Sequence, residues 1–187
     1  MRTMSAVFQK LRLLRANARG TAAIEFGFTG LMLVLGLLNA VDVGFYAYRR
    51  MEVENAAEAG TQAAWKTCNN TSSVLLPATT TCTVANGAAT SLTSAITTAI
   101  QATSLGSAVT LASGYPTEGY YCVNSSNALQ FQGSVSSSPT ACSTGAAPGD
   151  YIQVQVTYPY QPMFSGMSVM SALGISSITK TAWMQLG

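Results

Sequence analysis

Glu25 stands at the entry of an apolar run, five residues after Gly20 and four after Thr21, in the stretch GTAAIEFGFTGLMLVLGLLNAV. A carboxylate beside a membrane-length apolar segment is costly unless something pairs with it. The chemistry offered by this spacing is an ion pair. A cation one helical turn away, in the i, i+4 relation, would be such a partner within the chain, and one on a neighbouring copy would serve equally. A third reading keeps Glu25 as an acid near a helix N-terminus, favoured there by the helix dipole.

The remaining reactive side chains do not assemble into a catalytic set. Asp42 is a second acid within the apolar region, placed either at the outer interface or in a contact between subunits. Glu52, Glu54 and Glu58 are expected on a solvated helix face, which leaves Glu118 and Asp150 as the only other acids. The chain contains no histidine, so the commonest general base and the commonest metal ligand are both missing. No G-x-S-x-G, phosphate-binding glycine loop or Cys/His pair is present. The expectation is a non-enzyme with no cofactor and no metal.

Cys68, Cys82, Cys122 and Cys142 all follow the apolar run. An even number on one side of a span reads as two disulfides in an oxidising compartment. A four-cysteine zinc site is the alternative, against which no C-x-x-C pair occurs. Three connectivities are open. Cys68 with Cys82 and Cys122 with Cys142 is the expected pairing, since each closes a polar loop that needs fastening.

The elements that must carry these residues begin with a basic head. Arg2, Lys10, Arg12, Arg15 and Arg19 precede Gly20 with no acid among them, and four basic residues face seven acidic ones thereafter. A basic face on the folded part, the footprint of nucleic-acid binding, is therefore not expected. Residues 22–48 are long and apolar enough to cross a bilayer, for which about 20 residues suffice. Tyr46, Tyr48 and Arg49-Arg50 form an interfacial belt at its far end. The excess of basic residues ahead of the span predicts a cytoplasmic N-terminus and an outer C-terminal part, and the cysteines agree. An ordinary cleaved signal peptide fits less well, since the run is too long and LNA at 38–40 lacks the small-x-small pattern.

Basic leader, Gly20, four residues, Glu25-Phe26 and an apolar helix together resemble the class III prepilin signal. GTAAIEF is most similar to the TadE-like minor pilins, or pseudopilins, of tight-adherence (Flp/Tad) pilus systems. The resemblance is best over residues 18–65. A weaker likeness lies in VQVTYPYQPMFSGM and ITKTAWMQL near the C-terminus, and residues 67–147 carry none. It implies cleavage between Gly20 and Thr21 by a membrane prepilin peptidase, with Glu25 and Phe26 serving assembly. Gly20 suits that cut, because a residue without a Cβ lets the backbone enter a cleft in extended form. The cut would create an α-ammonium on Thr21, four residues before Glu25, and Glu25 could pair with it or with that of a neighbouring copy. The implied partners are that peptidase, other pilins, the assembly platform and the inner membrane, with no nucleic acid. The implied role is priming, capping or decorating a pilus used in surface attachment. A permanently anchored envelope binding or sensory protein and a type II secretion pseudopilin are the alternatives.

The helix is expected to continue to about residue 66, since Ala56, Gly60, Ala63 and Ala64 share one face and permit close packing. A second helix is expected within 88–106, with Leu92, Ile96, Ala99, Ile100 and Thr103 on one stripe. Strands are expected at 107–113, 118–124, 150–160 and the C-terminus. The third alternates Ile152, Val154 and Val156 with Gln153, Gln155 and Thr157. Residues 125–141 read as a Ser-rich loop. The sum is an α+β fold of pilin type: leader 1–20, transmembrane and emerging helix 21–66, and a periplasmic or extracellular domain 67–187 with an antiparallel sheet.

Overall fold

The computed structural model describes residues 18–70, 73–74, 77–82, 91–135 and 139–186. The leader expected at 1–20 lies outside them except for its last three residues, as does the start of the region expected to hold the second helix.

Helix α1 runs from Ala18 to Cys68, 51 residues without a proline, or roughly 75 Å at 1.5 Å per residue. It closes at Cys68, two residues past the expected end at 66. The chain divides into two compact units, each containing part of α1. One comprises the helix up to Gly44 together with Pro162–Leu173. The other comprises Phe45–Gln161 and the chain from Gly174 onward.

In the first unit α1 is long and apolar enough to cross a membrane, and its apolar side chains are largely exposed. Phe26 is 80% exposed and Leu33 69%, so no protein core explains their apolarity. The segment Pro162–Leu173 contains the short helix α4, Val169–Ala172, capped by Ser168.

The second unit is α+β. After α1 come a two-residue antiparallel pair, β1 (Asn69–Asn70) with β2 (Ser73–Val74), and the single turn α2, Ala78–Thr81. Helix α3, Leu92–Gln101, starts where the Ser91 side chain accepts from Ser94 N at 3.2 Å, satisfying one of the donors a helix start leaves open. Five strands follow: β3 (Thr110–Leu111), β4 (Thr117–Val123), β5 (Leu129–Gly133), β6 (Gly149–Pro159) and β7 (Ser177–Gln185). Strand β6 is central and every pairing is antiparallel. β7 runs along one edge of β6 from Tyr151 to Pro159. β4 and β3 share its other edge, and β5 flanks β4.

The alternation in β6 has the expected result: Ile152, Val154 and Val156 are fully buried. They share the core with Ile96 and Ile100 of α3, and Val53, Ala56, Ala57 and Ala64 of α1 complete it. Gly60 shows how close this packing is. A Cβ built on it would sit 3.0 Å from both Ile100 Cγ2 and Val154 Cγ1.

Three expectations change. Residues 107–113 form a 3-10 turn, Gly106–Ala108, and only a two-residue strand. The supposed loop at 125–141 contains β5, recruited because β4 presents an open edge. Glu52 is 7% exposed rather than solvated, held by Arg49 at 2.7 Å and by the Ser104 hydroxyl at 2.6 Å.

Disulfides join Cys68 to Cys82 and Cys122 to Cys142, with Cα separations of 5.1 and 5.7 Å, inside the usual range. The first ties the end of α1 to the end of α2. The second links β4 to the connection before β6.

Candidate processing and assembly site

Gly20, Thr21, Glu25 and Phe26 all lie on the helical backbone of α1 and are exposed. Helical spacing brings Glu25 beneath Thr21, one turn on. Ile24 and Phe28 flank it, 74% and 62% exposed. The two ion pairs among the described residues, Arg49–Glu52 and Lys180–Glu54, do not involve Glu25. Further along the same bare surface, Thr29, Met32, Leu33, Gly36, Leu37 and Ala40 line a shallow apolar groove. Its floor is low because Gly36 and Ala40 are small, the geometry that lets a second helix approach.

Asp42 is placed differently. It is fully buried and held within its own chain. One carboxylate oxygen accepts from Met163 N at 2.8 Å, and the other accepts a short bond from the Ser168 hydroxyl. Asn39, one turn earlier, works with it. Its Nδ2 donates to Met167 O at 3.2 Å and to Leu35 O at 2.8 Å, and its Oδ1 accepts from Val169 N at 2.7 Å. The partners at 163–169 are not visible in sequence, since they lie more than 120 positions away. Asn39 carries no motif, and its one signal is being an amide in an otherwise apolar run.

A second polar cluster lies in the other unit. Glu118 of β4 accepts from Ala78 N at 2.5 Å, Thr79 N at 2.7 Å and Thr79 Oγ1 at 2.6 Å. The residue before α2 is Pro77, which gives no side-chain cap, so a glutamate from a strand does the work of an N-cap residue. Beside it Asp150 is 2% exposed, and neither of its oxygens meets an N–H or O–H donor among the described residues. Burial, together with the Glu118 charge and the hydrogen bond between the two carboxyls, pushes its pKa up to about 7. A proton on Asp150 is what makes two adjacent carboxyls tolerable.

On the sheet face away from the core, Tyr121 stacks edge-on against Phe131, Tyr151 and Trp183, with ring centroids 5.4, 5.9 and 5.1 Å away. Tyr160, in contrast, is buried against Phe45 and Tyr46. Among the described residues no group of three or more His, Cys, Asp or Glu is arranged to hold a metal.

Residues 20–62 match the family model described as TadE-like protein. The match covers fewer than a quarter of the 187 residues, and it coincides with the apolar and emerging part of α1. No curated protein and no solved structure matches the chain.

Proposed function

We propose, from the premise that α1 carries a TadE-like segment, that the protein is a minor pilin or pseudopilin of a tight-adherence pilus system. The observation that carries this reading is a coincidence of boundaries. The family match opens at Gly20, the residue at which the motif alone divides leader from mature chain. It continues through an apolar helix whose surface no core of its own covers.

In this reading the chain is anchored in the inner membrane by α1, with its N-terminus in the cytoplasm and its sheet domain outside. A prepilin peptidase cuts between Gly20 and Thr21. Both residues are exposed, and glycine lowers the cost of unwinding the local backbone into the extended form that proteases bind. The cut frees the Thr21 ammonium. Glu25 then pairs with it, within the chain or across to a neighbour, and an ion pair offsets part of the cost of keeping either charge near lipid. A subunit out of register by a turn leaves the carboxylate unpaired, so the pair reads register. The bare groove over Gly36 and Ala40 and the exposed Phe26 are surfaces on which neighbouring pilin helices pack. The protein is the peptidase's substrate and a structural subunit, without catalysis of its own.

Mass spectrometry of the mature N-terminus tests this. The expected result is a chain beginning at Thr21 in cells with the peptidase and at Met1 in cells without it. A membrane-resident protein retaining residues 1–20 in both would overturn the reading in favour of a permanently anchored envelope protein.

A further inference from the structure

We infer that Pro162–Leu173 is a second membrane contact, an apolar wedge seated in the outer-leaflet lipid beside the transmembrane helix. The inference rests on the anchored reading above and extends it to a part of the chain outside the helix.

The segment lies in a charge-free stretch, with no Asp, Glu, Lys or Arg between Asp150 and Lys180. Its large apolar side chains point outward: Met163 and Met167 are each 57% exposed, Val169 49% and Leu173 66%. A loop meant for water does not present such a cluster, and exposed apolar patches mark a contact. Its position says with what. The segment is bonded to Asn39 and Asp42, which lie inside the apolar run of α1. At that level Leu37, Val41 and Val43 of the helix are also exposed, at 66%, 47% and 43%. Whatever solvates these helix side chains solvates the segment too, and for a spanning helix that is lipid.

Hydrocarbon admits irregular backbone only where its polar groups are met from within the protein. Within the segment, six N–H groups are met in this way. Met163 N and Val169 N are taken by Asp42 and Asn39, and Met170 N by Ser168 Oγ at 3.1 Å. Met167 N donates to Phe164 O, Ala172 N to Ser168 O and Leu173 N to Val169 O, at 2.9–3.1 Å. Met167 O accepts from Asn39. Asp42 and Asn39 are thus polar residues within the span whose task is to render a loop fit for lipid. Asp42 itself is fully buried beneath that loop, away from the acyl chains.

The test places one spin label at a time on the full chain, reconstituted in phosphatidylethanolamine–phosphatidylglycerol vesicles. The sites are Met167→Cys, Leu173→Cys, Leu33→Cys in the span and Gln62→Cys, an exposed position beyond it. The readout is relaxation by oxygen, which concentrates in lipid, against a water-soluble nickel chelate. Labels at 167 and 173 are expected to give the oxygen-rich ratio of Leu33, several-fold above that of Gln62. Water-like labels at 167 and 173 beside a lipid-like Leu33 overturn the wedge while leaving the anchor intact. A water-like Leu33 overturns the anchored reading and the wedge with it. Shielding from both reagents at 167 that is relieved by diluting protein in lipid means a second copy covers the segment, which also overturns the wedge. Asn39→Ala with Asp42→Ala is expected to move the 167 label toward water without moving Leu33. No movement would overturn the role given to the two side chains.

Discussion

At the scale of single residues, the acids of this chain divide by what neutralises them. Glu25 is exposed and has no ion pair among the described residues, which suits the proposed pairing with an ammonium created by processing. Glu25→Ala is expected to leave cleavage intact and to reduce the protein recovered in sheared filaments at least several-fold. Normal incorporation of the cleaved variant, measured by immunoblot of filament and membrane fractions, would remove the docking role. Asp150 presents the opposite case. Its pKa is raised from 3.8 to about 7, so the folded state keeps a proton that the unfolded chain has released. The stability this contributes is fully present below about pH 4 and is lost as pH rises through about 7. Thermal melts of the solubilised chain are therefore expected to fall from pH 5 to pH 8. Asp150→Asn, which carries no charge at any pH, is expected to flatten that dependence and raise the melting temperature at pH 8.

At the scale of elements, α1 serves two environments with one helix. Its first part carries large apolar side chains outward, and its last part turns alanines and Gly60 toward β6 and α3. The pattern Ala56, Gly60, Ala64 is what allows the helix to approach the sheet so closely. Gly60→Val would drive new methyl groups into Ile96, Ile100 and Val154, which already lie 3.0–3.3 Å from a bare Cβ. Overpacking of this kind costs about 1–3 kcal/mol, and denaturant titration should show a loss of that size with the disulfides intact. The Cys68–Cys82 bridge works on the same element, tying its C-terminus across a separation of 14 residues. Loop closure of that length contributes about 3 kcal/mol. Cys68→Ser with Cys82→Ser should lower stability by a comparable amount, and less if α2 is held by Glu118 alone.

At the scale of the whole molecule, the basic charge of the chain is concentrated ahead of the proposed cut. The full sequence is basic, with a pI near 8.4. Loss of residues 1–20 leaves four basic residues against seven acidic ones. Isoelectric focusing under denaturing conditions should therefore move the processed protein from the basic to the acidic side of neutrality, beside an unprocessed Gly20→Pro control that stays basic. A single basic species in cells that assemble pili would contradict processing. Under the proposed processing the charge change would also have a mechanical sense, since the head is the part that would hold the chain to an anionic cytoplasmic surface.

Much of the architecture was legible from local periodicity. An uninterrupted apolar and small-residue run without proline determined one long helix, and its length and composition determined that it can span a bilayer. The two-residue alternation of Ile152, Val154 and Val156 determined which face of β6 is buried. The polar loops between Cys68 and Cys82 and between Cys122 and Cys142 favoured the two bridges that formed, though three connectivities were open. Periodicities of 3.6 and 2 are properties of neighbouring residues, so they survive in sequence. The partners of polar groups are not such properties. Asp42 and Asn39 find the 163–169 backbone, Glu118 finds the start of α2, and Asp150 finds Glu118 only once strand register and chain return have been set. For the same reason β5 was hidden: LQFQG becomes a strand because an open edge of β4 accepts it. Sequence determined where the chain can bury apolar surface, and the tertiary structure decided how each buried polar group is satisfied, because desolvation is local whereas its compensation comes from wherever the fold brings a donor.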